Sequence, residues 1–582
     1  MVLRKFVVPA LVLTLAELGG VAAAQDLAKL LPEETFFAFG MQDLADASAQ
    51  LEDFGNEFKR LDVAGALSAL AASEGGKGGK GKQKAAQTMS AEEQKALDAL
   101  SSLDVWGQES WLSLSASTTS PLPAFTLVTK VTPAGAEKTQ ALLDEAKKGE
   151  ESQELEESGI PFTQLSVDTG SPVQVLAYSL SDDLLAFSTN PDTLRGVLRR
   201  YAGADEPNFT SAQGYESTLG TLEAGTFYSF LDYAQIADVV SPYAQNLGFD
   251  PLITRLSQAL ATAGSVGGVV TLSDDGMTSE SFQALDPQGG DAMLYKLLSS
   301  STPASTDISV PNDEALSVSA SAFNAQGWYD YLNELALAVP ELGGDLDSLV
   351  LSFTGLSLRE SLISWSGDQF ATVTTGFAAP TEPGVPSDNP LGEQVFMLQA
   401  SNEAAAQRGL DSLFQSVSQT ASSLTAPQGG AQATKSETEN VGGAQVTHYN
   451  LAPGATIYYA VNSGYALIGT SEDAMKLTLG AQQQGTANDL FSDVPSDATS
   501  YAHSDDQATF NNLAGQLSST LKTASGMGGG ANLDFAAIEK SSKSVEDFIG
   551  FIATRLHTTT SYNETSADGI RTHAESQVDW QE

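Results

Sequence analysis

Four histidines, His448, His503, His557 and His573, are the residues with the widest chemical reach in this sequence, and all lie in its C-terminal half. None shows the i, i+4 spacing that sets two imidazoles on one helix face for zinc. A metal site would need them to converge in space with some of the many carboxylates; otherwise each reads as a surface or strand-face residue. The acid pairs Asp182-Asp183, Asp274-Asp275 and Asp505-Asp506 could serve general acid/base or calcium chemistry. Two of them fall where the pattern predicts hairpin turns, and aspartate is expected there for local backbone hydrogen bonds. Ser519-Thr520-Leu521-Lys522 and Ser387-Asp388-Asn389 match two penicillin-binding elements. They occur in reversed order without a Lys-Thr-Gly partner, so they read as chance. No Gly-x-Ser-x-Gly elbow, phosphate loop, dinucleotide fingerprint or EF-hand loop occurs. The reading therefore assigns no catalytic, cofactor-binding or metal-ligating residue and no cofactor.

Around these residues lies a chain of 582 residues with 73 acidic and 28 basic side chains, a formal net charge of -45. Such a surface repels nucleic acid and anionic lipid at long range, so no nucleic-acid partner is expected. With 41% apolar residues the chain can bury sizeable cores. It has no cysteine, which excludes disulfides, thiol catalysis, cysteine zinc sites and lipid attachment through an N-terminal cysteine. Arg4 and Lys5, the apolar run FVVPALVLTLAELGG and then VAAAQ have the three zones of a signal peptide, with a cut expected after Ala24. Glu17 interrupts the apolar zone, and an uncleaved anchor is the alternative, although the run is short for a span. No later run is long and apolar enough to cross a membrane.

The elements that would position any site occur twice. Pro32 is followed by the alternating strand TFFAFGM, and Pro311 by ALSVSASAF. A helix is expected after each, with stripes Leu51, Phe54, Phe58, Leu61 and Trp328, Leu332, Leu335, Val339. LDVWGQESWLSLSAS from Leu103 parallels LISWSGDQFATVTTGF from Leu362. The strand and helix from Pro123 parallel those from Gln394, with Phe125 set against Phe396 and Leu142 against Leu413. The hairpin and helix from Val175 parallel those from Ile457, with Asp183 and Gly464 in equivalent turns and helix caps near Thr189 and Thr470. The strands from Thr226 and Thr499 match, placing His503 against Phe230, and so do the hairpins around Asp275-Gly276 and Asp568-Gly569. The expected fold is α+β: two similar domains, each a curved, mostly antiparallel sheet with helices on one face. The boundaries are 1–24 for the signal peptide, 25–300 for the first repeat and 301–582 for the second, joined by a serine- and proline-bearing linker near 298–311.

The opening LPEETFFAFGMQDLAD, the segment SLRESLISWSGDQFAT and the strand-helix YALIGTSEDAMKLTL resemble a bacterial family of exported proteins with no assigned function. Members start with Leu-Pro-x-x-Thr, here Leu31 to Thr35, and carry a Gly-x-x-Leu stretch before a Trp-x-Gly-(Asp/Glu) turn, here Gly355, Leu358, Trp365, Gly367 and Asp368. A strand ending in Thr before a helix completes the pattern. The first half departs at Trp106-Gly107, the second at VPNDEA. The resemblance implies an envelope or periplasmic location and brings no catalytic residue.

The Lys/Gly insert at 73–88, with Lys77, Lys80, Lys82 and Lys84, buries no apolar area and reads as a disordered loop or a tether to an anionic partner. The stretches from Thr425 and Ser525 read as similar loops. Phe36, Phe37, Phe39, Trp106 and Trp111 read as core. The expected function is an exported, non-catalytic binding or structural role, with an envelope protein, a polymer or an apolar ligand as partner. A secreted hydrolase with carboxylate or metal chemistry in an interdomain cleft and a surface-layer component are the alternatives.

Overall fold

The computed structural model describes residues 27–42, 56–57, 60–61, 106–117, 122–147, 151–166, 175–181, 183–245, 250–312, 314–339, 344–376, 392–425, 437–441, 443–452, 455–485, 489–512 and 535–580. The signal segment, the Lys/Gly insert, the stripe from Leu51 (Leu61 apart) and both penicillin-binding matches lie outside the described residues.

Among the described residues, twenty strands form one antiparallel sheet. The first half supplies β1 (Thr35–Gln42), β2 (Trp106–Ser115), β3 (Ala124–Val131), β4 (Glu151–Glu157), β5 (Ile160–Ser166), β6 (Val175–Leu180), β7 (Leu184–Ser188), β8 (Phe227–Asp232), β9 (Ser265–Ser273) and β10 (Gly276–Ala284). The second supplies β11 (Ser317–Ala322), β12 (Ser366–Gly376), β13 (Glu393–Ala400), β14 (Glu437–Val441), β15 (Ala444–Ala452), β16 (Ala455–Asn462), β17 (Tyr465–Gly469), β18 (Ser500–Asp505), β19 (Leu556–Thr565) and β20 (Gly569–Val578). From one edge the order is β4-β5-β6-β7-β3-β2-β1-β8-β9-β10. It continues β20-β19-β18-β11-β12-β13-β17-β16-β15-β14. Reading inward from either edge, corresponding strands therefore meet in the same sequence. The last strands of the two halves, β10 and β20, pair with each other.

Among the described helices are α1 (Pro133–Ala146), α2 (Pro191–Tyr201), α3 (Gln213–Ser217), α4 (Tyr233–Gln245) and α5 (Asp250–Ala263) in the first half. Then come α6 (Ala292–Leu298), α7 (Ala325–Leu337), α8 (Leu346–Thr354), α9 (Leu358–Ser361), α10 (Glu403–Thr425), α11 (Glu472–Gln484) and α12 (Phe535–Ala553). The α+β class and the antiparallel pairing match expectation. Two details differ. The two halves share one sheet, because β10 and β20 close the gap between them. Helices also cover both faces, because inner strands alternate large apolar residues on both sides. On β17, Leu467 joins the core under α11, whereas Ala466 and Ile468 join the core under α10. On β3, Val128 faces α2 and Leu127 the opposite side.

Register refines the correspondence between halves. Ala38 pairs with Ser113 and Phe230 where Val318 pairs with Val373 and His503. His503 thus occupies the place of Phe230, as the sequence suggests. Phe396 corresponds to Leu127 instead of Phe125, since Leu112–Leu127–Phe187 matches Thr372–Phe396–Ile468. The strand is right and the alignment is off by two, a shift that keeps each side chain on its own face. Thr189 and Thr470 are not the helix caps. Their hydroxyls accept from Phe125 N (3.0 Å) and Gln394 N (2.9 Å), locking the hairpin to β3 and β13. The caps are the next residues, Asn190 and Ser471, whose side chains accept from helix N–H groups.

Two expected features fail for clear reasons. The stripe Trp328, Leu332, Leu335, Val339 does not face the core: α7 buries Ala325, Tyr329, Tyr331 and Ala336, leaving Leu332 47% exposed. Tyrosines supply the apolar rings that a Leu-based periodicity overlooks. In the last hairpins the turn residues are Asp274-Asp275 and Ala567-Asp568, and the glycines open β10 and β20. Tight positive-φ turns occur instead at Ser158-Gly159 (φ 54 and 83) and Ser463-Gly464 (φ 52 and 79).

Each half is entered by a clamped segment, which in the first half includes the 3-10 turn Ala28–Leu30. Leu27 N donates to Glu109 Oε1 (3.0 Å), and Ser305 N donates to Gln369 Oε1 (2.9 Å), from equivalent positions of β2 and β12. Leu27, Ala28, Leu30 and Leu31 join the first core; Ala304, Ile308 and Val310 join the second. The expected linker near 298–311 is thus partly core: Ala304 N donates to Ala498 O (2.8 Å) and Tyr501 OH to Ser305 O (2.5 Å).

Fully buried Trp111 lies across Gly40, where an added Cβ would stand 2.6 Å from the indole. Gly40→Ala is therefore expected to cost about 1–3 kcal/mol in urea unfolding through overpacking. Gly480→Ala, in α11 with open space around it, should stabilise by about 0.5–1 kcal/mol. Equal effects of the two substitutions would refute this account of the core.

Candidate functional site

Both halves contribute side chains to a shared surface at the pairing of β10 with β20. It runs from Gly276 opposite Gln577 to Ala284 opposite Gly569, with Glu280 opposite His573 at its centre. A row of neighbours crosses the sheet here: Trp111, Gly40, Tyr228, Val269, Glu280, His573, Tyr562, Tyr501, Ala320, Ala371. Trp111, Tyr228 and Val269 belong to the first core, and Tyr501, Ala320 and Ala371 to the second. Both cores therefore stand on the same face. The strands between them carry a polar strip: Thr278, Glu280 and Phe282 on β10, Arg571, His573 and Glu575 on β20, and Thr560, Tyr562 and Glu564 on β19.

These strands are rich in Ser, Thr, His and Glu, so they cannot hold a helix against this face by apolar burial. They stay sheet because their backbones are paired on both sides and Thr, Tyr and Phe suit the pleat. Arg571 bonds Glu280 across the strand pair, and its guanidinium lies 5.3 Å from the Phe282 ring. The His573 ring stacks on Tyr562 at 4.8 Å between centroids and 24° between planes, with Nε2 3.8 Å from Glu564 Oε2. Glu280, Arg571 and His573 keep 27%, 31% and 31% of their side-chain exposure, so solvent reaches them. Burial raises the Tyr562 phenol, and the carboxylates of Glu564, Glu280 and Asp497 raise it further. Flat aromatic faces beside fixed charges of both signs suit recognition by stacking and ion pairing.

The walls differ. Over the first half, α3 and the short 3-10 turn Leu219–Thr221 press on β9: an added Cβ at Gly267 would meet Leu219 N at 2.7 Å. In the second half the equivalent of Phe230 is His503, whose Nδ1 lies 3.0 Å from Thr560 Oγ1. Burial lowers its pKa, while Asp505 and Asp506 oppose that shift.

The remaining candidates are dispersed. His448 lies on β15 opposite Glu437, its ring 5.7 Å from that of Tyr458, and His557 lies on β19. Asp183 accepts from Tyr201 OH in the β6–β7 turn, and Asp274-Asp275 form an exposed turn. Asp505 accepts from Ala508 N (2.8 Å) as a helix cap, and Asp506 from Ser504 Oγ (2.6 Å) and Thr559. Among the described residues, no group of three His, Asp or Glu is placed to hold a metal ion. Trp111 and Phe36 are buried, and Phe37 and Phe39 half-buried. Sequence reasoning placed His573 among the histidines but missed Glu280, Phe282 and Arg571. Their signal was a strand with polar residues on both faces in a sheet otherwise apolar.

Residues 123–528, from β3 past β18, match the family described as a protein of unknown function (DUF3352). The chain belongs to this family. Its matched stretch spans both halves of the sheet and includes β10 but neither β19 nor β20. No curated protein matches. One solved structure, titled "Structure of crystal form I of TP0453", aligns over 45% of this chain and 80% of its own at 11% identity and a TM-score of 0.22. No helix among the described residues is long and apolar enough to cross a membrane.

The lowered pKa of His503 has a definite sign. The unfolded chain, near the ordinary histidine value of 6.5, takes the proton more readily than the folded one. The stability contributed by neutral His503 is complete above that value and falls as pH drops through it. His503→Phe, which installs the residue found at the equivalent Phe230, is expected to flatten the loss of urea stability between about pH 7.5 and pH 5.5. Parallel pH profiles for parent and variant would contradict this.

Proposed function

We propose that this is an exported, non-catalytic protein of the bacterial cell envelope or periplasm, built by internal duplication, whose contact surface is the strip between the two cores. The observation carrying this reading is the row through Glu280 and His573. Ten strands on either side follow the same order, and the two copies meet strand to strand. A junction between two like units is a default place for recognition. Here it presents Phe282, Tyr562, His573 and charged groups to solvent. Binding is favoured over hydrolysis because Glu280, the carboxylate at the centre of the strip, is taken up by Arg571, and His573 Nε2 is 3.8 Å from Glu564, beyond hydrogen-bond reach. Export rests on the three-zone leader before Gln25.

A second reading, an apolar ligand, is supported by the opposite face of the first half. Phe37, Phe39, Phe125, Phe187 and Phe227 are only partly buried around Met41, Leu112 and Leu127. The second half has Ser317, Ser319, Gln394, Ile468 and Ser500 at the corresponding register positions. Lipid mass spectrometry of protein purified from its native envelope tests this directly.

The absence of cysteine makes the principal test clean. Thr278→Cys carrying a benzophenone label, on the strip, should cross-link a defined envelope component, and a label at Asp274 in the turn should not. The protein recovered from the native cell should begin at Gln25. Equal cross-linking from both labels would refute the strip as the contact surface; an intact leader on protein found in the cytosol would refute export.

A further inference from the structure

Among the described residues the sheet has two free edges, β4 and β14, in equivalent places of the two halves. Each bonds a neighbour on one side only, β5 and β15 respectively. Residues 151–154 of β4 and 437–440 of β14 are exposed. The outward row of backbone N–H and C=O groups is a template for another strand. The protein contains its own precedent for such pairing. In the middle of the sheet, the last strands of the two halves join over nine antiparallel residue pairs, where Glu280 meets the counter-charge of Arg571. The outer edges carry more acid than base, and on β14 the cation that feels Glu439 is Lys476 of α11. β4 carries Glu151, Glu154, Glu156 and Glu157; β14 carries Glu437 and Glu439. On β4, Lys147 bonds Glu154, and Arg195 and Arg199 approach Glu157 at 4.0 and 3.8 Å. β14 shows the simpler case: its two carboxylates lie on one face, and a second β14 laid antiparallel would place them against one another. Like charges across a strand pair are destabilising.

We propose that β14 is a self-association surface held open by the charge of Glu437 and Glu439, and that its partner is β14 of a second copy of this chain. Removing the charge lets two sheets join across a second two-fold axis, which closes as a dimer because the patch is self-complementary. The binding strip is not involved, so this inference stands apart from the proposed function.

The test uses the full chain at neutral pH and physiological salt. In sedimentation velocity the parent should be a monomer and E437Q/E439Q a concentration-dependent dimer. Hydrogen exchange of the dimer should slow β14 amides at least about tenfold, as newly paired backbone requires, and leave β4 amides as in the parent. A variant that stays monomeric, a parent already dimeric, or protection that appears elsewhere than β14 would each overturn the proposal.

Discussion

The pairing of β10 with β20 is the constraint from which the rest of the architecture follows. Without it the chain would be two ten-stranded sheets with four free edges; with it there is one sheet with two. The joint tolerates little. A Cβ at Gly276 would stand 2.2 Å from Ser576 O, and one at Gly569 2.1 Å from Gln283 O, so at both ends the opposing backbone occupies the space of a side chain. Each hairpin tip is also tied by the chain that follows the other half's last strand. Trp580 Nε1 donates to Ser273 O (2.8 Å), and Tyr295 OH donates to Ala567 O (2.7 Å). These ties hold the register of nine pairs, and register is what puts Glu280 opposite His573 and not one residue away on the other face.

Under that constraint the halves fill equivalent register positions differently. Gly40 and Trp111 in the first correspond to Ala320 and Ala371 in the second. One pair devotes its volume to a single indole, which also meets Phe209 and Tyr228 at 6.0 and 5.6 Å. The other leaves room that is filled from above, where Phe491 packs on Tyr501 at 4.1 Å. Close packing constrains how such positions are filled, not which residues fill them. Sequence comparison alone therefore sees weak similarity where the strand order is the same.

Much of the fold could be read in the sequence because alternation and turn residues report local geometry. The hairpins at Asp183 and Gly464, the place of His503 and the extended openings after Pro32 and Pro311 were all legible on those grounds. The edge hairpins were not. ESQELEE of β4 and ETENV of β14 have no apolar alternation, because edge strands with solvent on most sides do not need it, and their acidic residues resemble loop composition. The helices after β3 and β13 were expected, but their place on a second face was missed for the opposite reason: inner strands such as ALIG of β17 are apolar throughout, and a continuous run does not say which side is covered. The candidate strip was the least legible part. Its members are scattered over three strands from positions 278 to 575, and only the pairing of β10 with β20 brings Glu280 to Arg571.

The clamp on the entering segments shows how an ionic and a neutral solution can hold the same place. Glu109 is buried and accepts from Leu27 N and Trp111 Nε1, both at 3.0 Å, with Lys130 Nζ 3.3 Å from its second oxygen. The corresponding pair in the second half is Gln369 with Gln399, since Lys130 pairs with Leu184 where Gln399 pairs with Tyr465. Gln369 accepts from Ser305 N and donates to Pro303 O, and Gln399 accepts from Asp368 N. A buried ion pair gains its Coulomb attraction against a desolvation cost of comparable size, so a neutral hydrogen-bonded substitute can match it. Charge is therefore not what the clamp requires. What both halves keep is an acceptor oxygen on the second strand, aimed at the backbone N–H of the segment that leads into the first. The carboxylate stands where an indole N–H adds a further donor, and the amide where a backbone carbonyl needs one in return.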